Sequence, residues 1–190
     1  VFDFEITSEE YIAPPEPLLS FSSQPISGGG QKLGVVDMNG DFLDDVVSYG
    51  GGEIIINYQT DSDFETVNIG NTPPTYPPSW SLTAGDIDGN GFNDLIFGGG
   101  QGVTFMYANE DGTEYNEVSG PEYVFCQRGN CIDINNDGHL DVFMCHDVEP
   151  NVYYLNDGEG NLNFYQVLLE ENELETPHPD TLALGNVPDG

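Results

Sequence analysis

The sequence predicts an all-β chain built from repeated blades of four short antiparallel strands, and three observations carry that prediction. One nine-residue stretch occurs three times: Asp37-Met38-Asn39-Gly40-Asp41-Phe42-Leu43-Asp44-Asp45, Asp86-Ile87-Asp88-Gly89-Asn90-Gly91-Phe92-Asn93-Asp94 and Asp133-Ile134-Asn135-Asn136-Asp137-Gly138-His139-Leu140-Asp141. The copies begin 49 and then 47 residues apart, and self-similarity at such a period marks a repeat architecture. Each copy is followed by a short β-branched and aromatic run, Val46-Val47-Ser48-Tyr49, Leu95-Ile96-Phe97 or Val142-Phe143-Met144, bounded by glycines or turn residues, which reads as a buried strand. No long stretch has helical periodicity, and four short strands in a repeat of about 48 residues is the blade of a β-propeller.

The elements follow in order. Val1–Ile6 alternates as a strand before the proline-broken Ala13-Pro14-Pro15-Glu16-Pro17, so residues 1–32 read as an N-terminal strand or arm, or a partial blade. The first repeat, approximately 33–80, takes Leu33–Val36 into the first loop. Val46–Tyr49, Glu53–Tyr58 and Phe64–Ile69 follow, separated by Gly50-Gly51-Gly52 and Thr60-Asp61-Ser62-Asp63. The proline-rich Thr72–Pro78 then crosses to the second repeat, approximately 81–128. Its strands are Trp80–Ala84, Leu95–Phe97, Gly102–Tyr107 and Glu114–Val118, with turns at Gly98-Gly99-Gly100 and Asn109-Glu110-Asp111-Gly112. Tyr123–Ile132 leads into the third loop, and the third repeat, approximately 129–180, continues with Val142–Cys145, Asn151–Leu155 and Asn161–Leu169. Glu170–Glu175 reads as a solvated acidic loop. Thr181–Val187 resembles Ser81–Ile87 and reads as the start of a fourth repeat over 181–190.

The loops carry the chemistry. Asp or Asn stands at positions 1, 3 and 5 and Asp at position 9 in every copy. Ca²⁺ takes roughly six to eight oxygens at about 2.3–2.6 Å, and a short loop can supply them if alternate side chains turn inward. The candidate ligands are Asp37, Asn39, Asp41 and Asp45; Asp86, Asp88, Asn90 and Asp94; and Asp133, Asn135, Asp137 and Asp141. At position 7, Leu43, Phe92 and His139 would contribute backbone carbonyls, which lets their side chains vary. Glycines at position 4 (Gly40, Gly89) and position 6 (Gly91, Gly138) permit the tight turn. Asp-Gly-Asn is also a good hairpin turn in its own right, but three copies in register, each crowding carboxylates that repel without a cation, favour about three bound Ca²⁺. An EF-hand needs Glu at position 12 and an exiting helix; here position 12 is Ser48, Phe97 or Met144, inside a strand-like run.

Charge narrows the partners. Thirty-four acidic residues against two basic ones (Lys32 and Arg128) give a formal net charge of −32. With no basic stripe, nucleic acid and anionic membrane surfaces are poor partners, and no run of apolar residues is long enough to span a membrane. Such acidity suits calcium-bearing extracellular water, and also simply keeps a protein soluble. Cys126, Cys131 and Cys145 leave the pairing open: Cys131 with Cys145, Cys126 with Cys145, or three free thiols. A zinc site using them with His146 lacks paired ligand spacing.

The motif Asp-x-Asx-x-Asx-x-x-x-Asp, followed by an apolar strand and glycines, resembles the FG-GAP/VCBS repeat of integrin α-subunit propellers and many secreted bacterial proteins. Phe97-Gly98-Gly99-Gly100 and Asn151–Asn161 carry the likeness further. The resemblance covers residues 33–169 and, weakly, 181–190. It implies a propeller with calcium in the loop between the first two strands of each blade. Such propellers usually close with seven blades, so three repeats plus edges are expected to be a piece of a longer chain or to have their edges covered by other chains, and opening at Val1 rather than Met fits a processed chain or a fragment. Exposed sheet edges invite pairing, so self-assembly is expected.

Two functions from different classes are consistent with these residues. The first is an extracellular, calcium-stabilised module that binds protein or glycan, or builds an assembly, with Tyr76, Trp80, Tyr107 and Tyr123 as aromatic candidates for stacking on sugars and no Asn-x-Ser/Thr glycosylation signal anywhere. The second is a calcium-dependent polysaccharide lyase. His139, His146 and His178 are its candidate bases, but none stands in a recognisable catalytic constellation. The sequence therefore favours a non-enzymatic module.

Overall fold

The structure, a computed structural model, describes residues 22–28, 32–71 and 74–166. Among these residues the regular elements are twelve strands: β1 (Leu33–Val36), β2 (Asp45–Gly50), β3 (Glu53–Gln59), β4 (Phe64–Asn71), β5 (Ser81–Gly85), β6 (Asp94–Gly98), β7 (Val103–Ala108), β8 (Tyr115–Ser119), β9 (Cys126–Ile132), β10 (Asp141–His146), β11 (Val152–Asn156) and β12 (Leu162–Gln166). They form three four-stranded antiparallel sheets, β1-β2-β3-β4, β5-β6-β7-β8 and β9-β10-β11-β12, each in chain order. Short hairpin connections join antiparallel neighbours directly, and the predicted punctuation falls at these turns. The Val1–Ile6 strand, Glu170–Glu175 and the fourth repeat lie outside the described residues.

The sheets stack through their faces, and side-chain alternation decides which face meets which neighbour. In β6, Leu95 and Phe97 join Val47, Ile54 and Ile56 in a core between the first and second sheets. Ile96, one residue out of phase, joins Val142, Met144, Val152 and Tyr154 in a second core between the second and third. All five residues of β6 are buried, as expected of a strand covered on both faces. The opening strands also stack, β1 against β5 and β5 against β9. Three glycines mark close approaches: a Cβ at Gly85 would come within 2.8 Å of the Cys131 Cβ, one at Gly98 within 2.6 Å of the Cys126 Sγ, and one at Gly129 against the Met144 sulfur.

Two expectations change. The strand read from Tyr123 begins at Cys126. The residues before it serve the crossover, where the Phe125 carbonyl accepts the Asp147 N–H and the Cys126 N–H donates to the Gly99 carbonyl. The symmetric placing of Cys131 and Cys145 about the third loop does not bring them together: Cys131 lies opposite Val142 and Cys145 opposite Arg128. Val142 and Cys145 are three residues apart on one strand and point to opposite faces; Cys126 lies opposite His146 rather than Cys145, and none of the three thiols is paired.

Candidate metal centres

Each repeated stretch forms the connection from the first to the second strand of its sheet, and all three loops build the same hydrogen-bond cage. At position 1, one carboxylate oxygen accepts the position-5 N–H: Asp41 to Asp37 at 3.2 Å, Asn90 to Asp86 at 3.0 Å and Asp137 to Asp133 at 3.1 Å. Its other oxygen accepts the position-6 N–H at 2.8, 3.0 and 3.0 Å. The position-3 Oδ1 accepts the position-5 N–H (Asn39, Asp88, Asn135; 3.1, 3.1 and 3.0 Å). The position-5 Oδ1 accepts the position-7 N–H (Asp41, Asn90, Asp137; 2.8, 2.8 and 2.9 Å). The oxygen-bearing side chains at positions 1, 3 and 5 thus fold inward over one short turn, and Asp37 Oδ1 takes two further N–H groups, from Asn39 at 3.3 Å and Gly40 at 2.7 Å.

Positions 4 and 6 have positive φ in every loop: Gly40 and Phe42, Gly89 and Gly91, Asn136 and Gly138. Glycine adopts that region without cost, and the expected glycines are found there. Phe42 (φ 70°) and Asn136 (φ 60°) adopt it too. Asn tolerates αL; a bulky aromatic does so rarely.

At position 9 the sequence offers Asp45, Asp94 and Asp141 as candidate ligands. The structure assigns them a second task. Asp45, Asp94 and Asp141 are 0, 1 and 0% exposed. One oxygen of each accepts the position-2 N–H (Met38, Ile87, Ile134; 2.8, 2.9 and 2.8 Å). The other accepts an N–H at the end of the third strand (Gln59, Ala108, Asn156; 2.8 Å each). This carboxylate therefore ties its loop to two strands at once. Burial pushes Asp94 up to about 7, against the pull of the Ala108 and Ile87 N–H groups, with Asp88 and Asp86 adding repulsion. Burial likewise raises Asp45. At the open end of the first loop the balance reverses: some burial raises Asp37, but four backbone N–H donors, Phe42 foremost, hold it below the ordinary aspartate value. The N–H of His139 and the amide of Asn135 lower Asp137.

The second loop gathers its acidic groups most tightly: Asp86, Asp88 and Asp94 each place an oxygen within 4.8 Å of the others. Among the described residues no other three acidic, histidine or cysteine groups are so drawn together. In the first and third loops an asparagine occupies position 3, and its amide donates to the position-5 carboxylate (Asn39 to Asp41, 3.1 Å; Asn135 to Asp137, 2.8 Å). Three converging carboxylates desolvated on one side fit a hard divalent cation, since oxygen is the donor such ions prefer. Among the described residues the three cysteines and His146 do not gather three groups that could hold a zinc ion, and burial pushes Cys126 up to about 11 and Cys131 up to about 12.

Position 7 is less free than the sequence suggested. The Phe92 ring lies on Gly112, where a Cβ would come within 2.5 Å of it, and the His139 ring lies on Gly158, at 2.8 Å from such a Cβ. Both glycines sit in the turn between the third and fourth strands, at φ 65° and 82°. Neighbouring sheets also hold the loops: the Asn93 amide donates to the Asp37 carbonyl, and the Asn156 amide to the Ile87 carbonyl at 2.7 Å. Sequence reasoning missed these amides, whose only signal was Asn at unassigned positions.

Of the candidate bases, His139 belongs to the third loop, with its N–H on Asp137 and its ring on Gly158. His146 has its ring buried against Tyr123, with centroids 5.6 Å apart, and its Nε2 is 3.9 Å from Glu149. His178 lies outside the described residues. No helix of the described residues is long and apolar enough to cross a membrane.

No protein-family model matches the chain, and no curated protein matches it. Among solved structures it is similar to an Agrocybe aegerita lectin, studied for specific recognition of non-reducing terminal N-acetylglucosamine, with TM-score 0.55 and 17% identity over 72% of this chain and 38% of the lectin. It is also similar to a chain of the Photorhabdus luminescens Tc holotoxin pore, with TM-score 0.46 and 16% identity over 76% of this chain and 7% of that one. At these identities the likeness is one of fold. The chain spans well under half the length of either.

Proposed function

We propose that this chain is a run of calcium-stabilised β-propeller blades of the FG-GAP/VCBS kind, acting outside the cell as a module that binds glycan or protein. The observation that carries the reading is the threefold cage, in which loops 47 and 49 residues apart reproduce the same inward pattern of Asp and Asn oxygens at positions 1, 3 and 5 and the same buried position-9 clamp. One ion per loop, about three in all, would relieve the repulsion among these carboxylates and couple each loop to its sheet. Chain-order meanders with stacked opening strands support blades around an axis. The shared fold with a lectin supports glycan as one ligand class, and the charge of −32 argues against polyanions.

Calorimetry in millimolar calcium and in chelator tests this. A ligand that binds only the folded state stabilises it by about 2.7 kcal/mol per site at a hundredfold excess over Kd, so a marked rise in melting temperature is expected. An unchanged melt would remove the reading. The sheet edges also predict assembly in calcium; gel filtration eluting only a monomer of 20.7 kDa would remove that part.

A further inference from the structure

A cleft of about 460 Å³ opens between the second and third sheets, where β8 and the crossover after it face the β11–β12 hairpin; one wall, at Gly160, packs on Asp88 of the second acidic loop. Its size falls in the range of roughly 300–1,000 Å³ typical of small-ligand sites. Its floor is aromatic and rigid. Phe105 and Tyr154 meet edge to face at 5.0 Å, and Tyr154 and Phe164 at 5.4 Å. Tyr107 closes one side, its hydroxyl donating to the Gly160 carbonyl at 2.9 Å.

Tyr154 is the informative residue. It is 3% exposed, lines the cleft, and its hydroxyl makes no hydrogen bond among the described residues. A buried hydroxyl without a partner is costly, and buried tyrosines usually find one. Its oxygen is not among the sealed, partnerless atoms of the described residues. The half-buried Glu122 lines the same cleft, so the cleft holds a carboxylate as well as the Tyr154 phenol. The rim adds two exposed amides, Asn161 and Asn163.

We propose that this cleft binds a neutral saccharide. Aromatic surface beside a carboxylate, amide oxygens and one free phenol matches a pyranose, which offers an apolar C–H face and several hydroxyl donors. Neither Lys32 nor Arg128 lines the cleft, and a chain of charge −32 disfavours acidic sugars. A cationic amine would satisfy Glu122 but leave the amide oxygens and the phenol less well used. The inference rests on the glycan branch of the proposed function and gives it a location.

The test uses the full chain in millimolar calcium. Saturation-transfer NMR with a panel of methyl glycosides of neutral hexoses and N-acetylhexosamines measures binding, with tetramethylammonium as the cationic probe. At least one glycoside binds, and Tyr154→Phe and Glu122→Gln each weaken it about tenfold, the scale of one lost hydrogen bond in a buried site. Tyr154→Phe keeps the ring packing, and an unchanged calcium-dependent melt shows that each variant folds. The proposal is overturned if no glycoside binds, if neither substitution affects binding, or if tetramethylammonium outcompetes every glycoside. Glycosides failing while calcium still raises the melting temperature would overturn the sugar site alone; failure of the calcium shift would remove the metal reading instead.

Discussion

Asp94 Oδ1 accepts the N–H of Ala108 at 2.8 Å, so the residue that ends the second acidic loop also fastens the end of β7. Its Oδ2 takes the Ile87 N–H at 2.9 Å. Asparagine at 94 would turn one of these oxygens into an amide facing an N–H donor. Asp94→Asn is expected to destabilise the calcium-loaded protein by about 2–4 kcal/mol, since an unpaired buried donor adds to the lost bond. Urea unfolding measures it. A loss under about 0.5 kcal/mol, the level of an ordinary surface change, would mean that the clamp is idle.

The same carboxylate sets a pH dependence. Its folded-state pKa lies near 7, above an ordinary 3.8, so without calcium the folded state binds more protons than the unfolded state between those values. Metal-free stability therefore falls as pH rises from about 4 to about 7, by a magnitude of the order of 2 kcal/mol. Asp37 and Asp137, held low, act oppositely, and only at more acid pH. Calcium prefers the ionised form, so its stabilisation grows over the same rise in pH. Melting curves at several pH values, with and without chelator, check both trends; a metal-free protein that gains stability across this range would contradict the assignment.

Phe42 holds φ at 70° and is 95% exposed, so its side chain has little packing to lose. Glycine occupies the same position in the other two loops. Phe42→Gly is expected to stabilise the protein by about 1 kcal/mol, the relief of a left-handed aromatic outweighing the added freedom of the unfolded chain. Tighter calcium binding at the first loop should accompany it in isothermal titration. A drop in melting temperature would show that the ring does something the fold needs.

Asn156 reaches across the seam, donating to the Ile87 carbonyl at 2.7 Å and to the Leu140 carbonyl at 3.1 Å. Asn156→Ala leaves two carbonyls short of a donor and is expected to cost about 2 kcal/mol. It should weaken calcium at the second and third loops while sparing the first. Uniform weakening across all three would refute a local seam.

The repeated loops, the strand that follows each and the three hairpin meanders were legible because they are local. The β-branched and aromatic runs Val46–Tyr49 and Val142–Met144, and Asp or Asn at fixed spacing, express chemistry within a few residues of one another. The second task of Asp45, Asp94 and Asp141 was not legible. Their partners Gln59, Ala108 and Asn156 lie 14 or 15 residues away and contribute only a backbone N–H, which no side chain announces. The misplaced start of β9 and the supposed meeting of Cys131 with Cys145 failed for the same reason, since strand register is set across the sheet.

By itself the sequence determined the period, the strand-rich character and the oxygen-bearing positions of three loops, because turn chemistry and strand alternation act between near neighbours. Tertiary structure alone decided which carboxylates became buried clamps, which amides bridged one sheet to the next, and where a cleft was left between them. Those outcomes depend on burial and on distances between residues remote in the chain, and both exist only once the sheets have stacked.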